Sequence, residues 1–254
     1  MYTYEMNAGY SAMDASLHMT VPAILDCFQD AAIFEAENGR ITVGYLYSRH
    51  IAWLLNSWQI VIDRRPGLNE RIRVATAPYD FRGFLGYRNF TMTGEDGAVI
   101  VRAASVWTLV DTQKHCPVKP TRELQDGYEL GEKLAMDYAP RKIALLGDGE
   151  EQEHFRVRKY QIDSNQHMNN VEYVKLAMES LAEDAAIREL RVEYRKAAHC
   201  GDEVAAVVIK AEGKHQVVLK DAEGSVYAVV EFVIDSVKNT SKAAKDTARQ
   251  LAVV

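Results

Sequence analysis

Cysteine is scarce in this chain, and its few copies form no pattern that binds a metal or closes a disulfide. The three cysteines, Cys27, Cys116 and Cys200, are an odd number and lie far apart, without a C-x-x-C pair. The seven histidines are likewise scattered, without the spacing of a zinc cluster. We therefore expect reduced thiols, and we predict neither a metal nor a cofactor.

Long apolar runs and an excess of basic charge are also absent. No stretch approaches the roughly 20 apolar residues that a membrane-spanning helix needs, and the first residues lack the pattern of a signal peptide. The formal net charge of -6 argues against a general nucleic-acid-binding protein. These absences predict a cytoplasmic protein with no membrane span and no nucleic-acid partner.

The composition that remains is typical of a folded globular protein, with 48% hydrophobic and 26% charged residues among 254. Apolar residues recur at helical spacing over 20–38, with Thr20 as the N-cap and Asn38-Gly39 as the end. Strands are predicted after this helix over 51–63, 70–80, 87–93 and 98–111.

The second half repeats this order. A strand is predicted over 154–162, a helix over 170–188, and further strands over 190–197, 203–211, 215–220 and 226–234. A helix followed by antiparallel strands, present twice, predicts an α+β fold in which a curved sheet wraps each long helix. We divide the chain into a first domain at 1–125, a connector at 126–150, a second domain at 151–237 and a tail at 238–254.

A short polar motif also recurs in the two halves. D-A-S-L-H-M-T at 14–20 aligns with D-S-N-Q-H-M-N at 163–169 at a constant offset of 149 (163 − 14). Both copies stand directly before the main helix of their half, which favours a duplication. Because Ser16 replaces the amide of Asn165, we expect Asp14 and His18 to form a structural turn.

The second copy is the candidate active site. In an extended chain Asp163, Asn165 and His167 share one face, next to helix-start amides that stabilise negative charge. Such an arrangement suits attack on a carbonyl group. The alternative interpretation is that these residues are turn and helix-cap residues only.

The eleven residues D-S-N-Q-H-M-N-N-V-E-Y at 163–173 resemble the signature D-x-N-x-H-V-N-N-x-x-Y of acyl-acyl-carrier-protein (acyl-ACP) thioesterases, with Met168 in place of valine. The resemblance extends from 25–32 to 192–196. It implies a tandem double hotdog fold and hydrolysis of fatty acyl thioesters carried on an acidic acyl carrier protein. Asp163, Asn165 and His167 would then be catalytic, with a helix-start N–H group at the oxyanion.

One departure from the family pattern concerns the end of the E-Y-R-K segment at 193–196. Plant members carry an acidic and a thiol residue directly after it, and many bacterial members keep the acid, whereas this chain has Ala197 and Ala198. A shifted register would bring His199 or Cys200 toward the pocket instead. Cys200 is equally interpreted as a small packing residue.

The resemblance also places the acyl chain in the first half and a basic docking surface on the outside. The predicted tunnel residues, each also interpretable as core, are Ile24, Phe28, Ala31, Ala32, Trp53 and Trp107. The predicted docking residues are Arg64, Arg65, Arg71, Arg73, Lys114, Lys119, Arg141 and Lys142. Two alternatives for the function stay open, an acyl-coenzyme A thioesterase and a non-catalytic acyl-binding protein. A homodimer is a further open expectation.

Overall fold

The computed structural model of the protein describes residues 1–182 and 185–235, so the predicted tail at 238–254 lies outside the described residues. The helices are α1 (Val21–Asn38), α2 (Val43–Ser48), α3 (Arg122–Asp126) and α4 (Asn170–Met178). The strands of the first half are β1 (Tyr2–Asn7), β2 (Ile51–Ile62), β3 (Arg71–Arg82), β4 (Leu85–Thr93), β5 (Val99–Asp111) and β6 (Cys116–Pro117). Those of the second half are β7 (Glu150–Arg156), β8 (Ile187–Tyr194), β9 (Glu203–Ala211), β10 (Lys214–Lys220) and β11 (Val226–Ile234).

All of these strands belong to one antiparallel sheet, with the order β1-β3-β4-β5-β2-β8-β11-β10-β9-β7 and β6 beside β5. The two halves meet where β2 pairs with β8, from Ser57 opposite Glu193 to Val61 opposite Glu189. The sheet is therefore continuous across the molecule, and the predicted arrangement of two helix-and-strand halves is confirmed.

Helix α1 begins and ends where the sequence predicts. Thr20 caps it, because its Oγ1 accepts a hydrogen bond from Ala23 N at 3.2 Å, and Pro22 lies in the first turn, where no donor is lost. Its buried face packs into the core of the first half, with the Phe28 ring centroid 5.2 Å from that of Phe90.

Several boundaries predicted for the second half are wrong, including both ends of β8, which spans Ile187–Tyr194. Helix α4 ends at Met178 instead of residue 188, and β8 already begins at Ile187, where it pairs with β11 and, from Glu189 onward, also with β2. Strand β7 ends at Arg156, and a 3-10 turn at Lys159–Gln161 replaces the predicted end of the strand. The Gln161 side chain closes that turn by accepting from Arg158 N at 2.8 Å.

The segment between α3 and β7 crosses the outer face of the sheet without a helix or strand in its described residues. Four of its backbone N–H groups donate hydrogen bonds to buried polar side chains, each on a different strand of the sheet. These acceptors are Asn89, Gln59, Glu193 and Gln216. The strands therefore carry buried polar residues because they bind the backbone that covers them.

The backbone confirms the internal repeat. The offset of 149 holds for the two 3-10 turns, Tyr10–Ala12 and Lys159–Gln161 (159 − 10), and for the helix starts Val21 and Asn170 (170 − 21). Beyond the helices the offset becomes 132, since β3 begins at Arg71 and β9 at Glu203 (203 − 71). Any side chain near one motif therefore has an identifiable counterpart near the other.

Candidate active site

The motif at 163–167 is a tight loop and not the extended segment that the alternation argument assumed. Asp163 N donates to His167 O at 2.8 Å, and Gln166 N donates to Asp163 O at 3.1 Å. Gln166 has a φ of 63°, which reverses the chain. The extended-chain argument for a shared face is therefore wrong, because hydrogen bonds within the loop curl the segment before α4 begins.

The Asp163 carboxylate has one oxygen that holds this loop and one that does not. Its Oδ1 accepts from Asn165 N at 2.8 Å and from His167 N at 3.4 Å, as in an Asx turn. Among residues 1–182 and 185–235, no group hydrogen-bonds to its Oδ2 or to the side-chain amide of Asn165. The turn-forming interpretation is thus correct for Oδ1, and Oδ2 is left for other chemistry.

The start of α4 is already partly capped. Asn169 Oδ1 accepts from Val171 N at 2.9 Å, and the Asn169 carbonyl accepts from Glu172 N at 3.0 Å. These two donors serve the helix cap and are not available to a developing oxyanion.

A cavity of about 610 Å³ connects the loop to the first half of the molecule. Ser164, Asn165 and Gln166 line it together with side chains from α1, α2 and the strands that follow. Of the predicted tunnel residues, Ala32, Trp53 and Trp107 line this cavity. Ile24, Phe28 and Ala31 are instead fully buried in the core, because they lie on the face of α1 that points into the sheet.

Sequence reasoning missed several residues of the cavity wall. The Trp53 and Phe81 rings stack at 5.8 Å, and Trp53 Nε1 donates to Tyr128 OH at 2.9 Å. A Cβ at Gly86 would lie 3.1 Å from the Trp53 ring, so glycine permits this close approach. In the sequence, the signal for this close packing is a glycine within a strand that also carries aromatic residues.

Arg88 of the cavity wall forms an ion pair with Glu35 of α1. Arg88 Nη2 lies 2.5 Å from Glu35 Oε2, and the two side chains are 10% and 14% exposed. Arg88 also donates to Thr76 Oγ1 at 3.2 Å. Because the two charges compensate each other, this part of the wall carries no net charge toward an apolar chain.

The first-half copy of the loop has the same backbone hydrogen bonds, but here both carboxylate oxygens of the aspartate have side-chain partners. Asp14 N donates to His18 O at 2.9 Å, and Asp14 Oδ1 accepts from Ser16 N and Oγ. Asp14 Oδ2 lies 2.5 Å from Arg65 Nη1. Burial raises the pKa of the Asp14 carboxyl, but hydrogen bonds from Ser16, Arg65 and the His18 backbone outweigh it and lower this pKa to about 2.

The second half has a different neighbour at the position of Arg65. Met19 N donates to Pro66 O at 2.8 Å, and Met168 N donates to Ala198 O at the same distance. Pro66 therefore corresponds to Ala198, and Arg65 corresponds to Ala197. Ala197 is uncharged, so it does not form the ion pair by which Arg65 holds the first loop.

His199 contacts the candidate site. Its ring centroid lies 4.9 Å from that of His167, and the two planes are nearly perpendicular, at 85°. Of the two alternatives for the shifted register, His199 is thus the residue beside the motif, while all three cysteines are free and Cys200 is exposed.

Acidic partners already occupy five of the predicted docking residues, of which Lys114 lies 3.4 Å from Asp111 and the other four are arginines. Arg64 lies 2.8 Å from Glu70, and Arg65 is the partner of Asp14 described above. Arg71 and Arg73 both bind Glu5. These four arginines form local ion pairs, so they contribute less net positive charge than their number indicates.

No helix of the described residues is long and apolar enough to span a membrane.

Comparisons with known proteins agree on one family. The model of the acyl-ACP thioesterase N-terminal domain matches residues 1–128, and that of the C-terminal domain matches residues 147–237. The chain is 25% identical over 214 residues to a chloroplastic palmitoyl-acyl carrier protein thioesterase of Gossypium hirsutum, covering 78% of this chain and 50% of that protein. It is 23% identical to the oleoyl-acyl carrier protein thioesterase 2 of Arabidopsis thaliana, covering 79% and 60%. The chain thus spans about half the length of the curated relatives it matches first.

Solved structures confirm the tandem double hotdog fold. An acyl-ACP thioesterase from Bacteroides thetaiotaomicron superposes with a TM-score of 0.85 at 20% identity, covering 92% of this chain and 97% of that one. A 12:0-ACP thioesterase from Umbellularia californica superposes with a TM-score of 0.80 at 16% identity, covering 92% and 96%.

Proposed function

Because the chain belongs to the acyl-ACP thioesterase family, we propose that it hydrolyses the thioester of a fatty acyl chain on acyl carrier protein and releases the free fatty acid. The observation that carries this proposal is the cavity that joins the two halves. Its walls come largely from the first half, and the tip of the motif loop at 164–166 reaches it from the second. A reacting carbonyl at that tip would have its acyl chain in the apolar part of the cavity.

In the proposed reaction a water molecule attacks the thioester carbonyl and gives its proton to Asp163 or His167. The C–S bond then breaks, and the carrier thiolate takes a proton as it leaves. Asp163 Oδ2 is suited to the base role because only Oδ1 serves the loop. His167 is equally suited, since an imidazole can accept a proton from the attacking water and return it to the leaving thiolate.

Asn165 supplies the polar contact to the substrate. Its side chain is exposed and lines the cavity at the loop tip. Its amide NH2 group can donate a hydrogen bond to the thioester carbonyl, whose oxygen becomes negative during attack. Asn165 is therefore a candidate oxyanion donor, and the backbone N–H of Asn170, for which no acceptor is found among the described residues, is a second one at the start of α4.

The experiment that tests the function measures release of fatty acid from acyl-ACP by the purified wild-type chain and by three variants. Asp163→Asn, Asn165→Ala and His167→Ala should each lower kcat by about 10² or more, because each removes a polar group from the reacting centre. Circular dichroism establishes that each variant is folded. Near-wild-type rates in all three folded variants would contradict the site, and no turnover by the wild type would favour the non-catalytic acyl-binding alternative.

The pH dependence of kcat/KM distinguishes the two bases. An imidazole base gives a rate that rises through about pH 6.5, whereas a carboxylate base gives a rate that has already levelled off above about pH 4–5. The measurement uses wild-type protein and one acyl chain throughout.

The carrier protein is the proposed partner. Of the predicted docking residues, Lys119, Arg141 and Lys142 are without an ion pair among the described residues, unlike Lys114 and the four arginines. Lys119→Glu with Lys142→Glu should raise KM for acyl-ACP and leave hydrolysis of the same acyl chain on coenzyme A unchanged. Equal kcat/KM on both carriers in the wild type would favour the acyl-coenzyme A alternative.

The cytoplasmic location and the homodimer stay predictions.

A further inference from the structure

His199 occupies a position that is a glycine in the other half of the molecule. Gly67 N donates to Glu70 Oε2 at 3.0 Å, and His199 N donates to Asp202 Oδ2 at 2.9 Å, which aligns the two turns residue by residue. In the first half, therefore, this position carries no side chain. In the second half an imidazole stands there, directly against the ring of His167.

The backbone that carries His199 is held on two sides. Ala198, the preceding residue, is fully buried, and its N–H donates to Tyr173 OH at 2.8 Å. The Ala198 carbonyl accepts from Met168 N, which follows His167 in the chain. The attachment points of the two imidazoles are thus fixed to each other through one hydrogen bond between neighbouring residues.

Asp202 holds the turn from its other end. Its Oδ2 accepts the His199 N–H bond and a bond from Tyr227 OH at 3.2 Å. The same oxygen lies 3.8 Å from His199 Nδ1. Tyr227 is 2% exposed, so this anchor belongs to the packed interior, although the His199 side chain itself is 59% exposed.

We propose that His199 is a positioning residue for the hydrolysis, whose ring packs edge-to-face against His167 and keeps that imidazole directed at the reacting centre. Perpendicular aromatic pairs at this separation are favourable, and they restrict the rotation of the ring that they contact. Among the described residues, no side chain hydrogen-bonds to the His167 ring, so ring packing is what orients it. The proposal rests on the proposed function, since it gives His199 a role through His167.

The test compares His199→Ala and His199→Phe in acyl-ACP hydrolysis. The alanine variant should lower kcat about 10-fold with KM changed less than about 2-fold, because a 1.4 kcal/mol loss of positioning is a factor of ten. The phenylalanine variant should recover most of kcat, since it restores the perpendicular ring without the ring nitrogens. Wild-type kcat in the alanine variant, or a phenylalanine variant no better than alanine, overturns the proposal.

A double-mutant cycle with His167→Ala separates this proposal from the proposed function. In the His167→Ala background, His199→Ala should cause no further loss, because the ring that it positions is gone. An additional 10-fold loss in that background overturns the positioning role. If His167→Ala alone leaves kcat unchanged, the assignment of the active site fails. If His167→Ala lowers kcat but His199→Ala does not, only the positioning role of His199 fails.

Discussion

The two Asp-x-x-x-His loops have the same backbone and different surroundings. In both, the aspartate backbone N–H donates to the histidine carbonyl, at 2.9 Å in the first loop and 2.8 Å in the second, and Oδ1 accepts from the residue two positions on. In the first loop Ser16 and Arg65 engage the remaining groups, and Ser16 Oγ lies 3.1 Å from His18 Nδ1. In the second loop, these side-chain contacts have no equivalent among the described residues.

This difference separates the structural role of the motif from its chemical role. The aspartate forms the turn in both copies, so the presence of a turn alone does not identify an active site. Besides the change from Ser16 to Asn165, the chemical difference comes from two positions on the turn after β2 and their counterparts after β8. There Arg65 becomes Ala197, which removes a cation, and Gly67 becomes His199, which adds an imidazole.

The largest effect is expected from copying the first-half ion pair into the second half. Ala197→Arg places a guanidinium where Arg65 stands, so that it binds Asp163 Oδ2 and disfavours proton uptake there. We expect kcat for acyl-ACP hydrolysis to fall by about 10²-fold, the scale of a lost acid–base group. Ala197→Met is the control of similar length without charge, and it should keep most of the activity. An active Ala197→Arg enzyme would mean that Asp163 Oδ2 has no part in the reaction.

A smaller, selective effect is expected from filling the cavity. Ala32 lines it from α1, so Ala32→Leu adds three carbon atoms to the space proposed for the acyl chain. Hydrolysis of long-chain acyl-ACP should fall about 10-fold, while a two-carbon acyl thioester should be cleaved at nearly the wild-type rate, because overpacking costs about 1–3 kcal/mol only where the chain is present. A panel of chain lengths measures this. A uniform loss over all lengths would instead place the acyl chain outside this cavity.

The smallest effect concerns stability and not catalysis. Asp14→Asn keeps the acceptor for the loop N–H groups and removes the ion pair with Arg65. Because the folded pKa of Asp14 is lowered to about 2, its carboxylate stabilises the fold above about pH 4, and this stabilisation is lost as the pH falls toward 2. Urea unfolding should show the variant less stable at pH 7 and nearly equal to wild type at pH 2. A difference that persists unchanged at pH 2 would mean that the carboxylate charge is not its cause.

Periodicity predicted the fold well wherever local pattern and tertiary pairing agree. The bounds of β9 and β11 were predicted to the residue, and Thr20 and Gly39 mark the ends of α1 as expected. The predicted end of α4 is wrong in part because residues 187 and 188 belong to β8, and periodicity within one segment carries no information on the pairing of β8 with β11 and β2.

The identity of the site residues stays a prediction, and the extended geometry assumed for them is wrong. The motif identified the loop and its contribution to the cavity. Strand-like alternation predicted that Asp163, Asn165 and His167 share one face, whereas this segment is a tight loop. The offset of 149 that revealed the duplication did not align Arg65 with Ala197, because the offset changes to 132 beyond the helices. Only the equivalent hydrogen bonds of Pro66 and Ala198 make that alignment visible.

The most direct test of the account compares one substitution in the two equivalent loops. His18→Ala and His167→Ala remove the same side chain from the same backbone, and the release of fatty acid from acyl-ACP is measured for both folded variants. We predict that His167→Ala loses about 10² or more in kcat, as expected for a group at the reacting centre. His18→Ala should keep nearly the wild-type rate. Equal losses in the two variants, or a loss confined to His18→Ala, would contradict the assignment of the chemistry to the second loop.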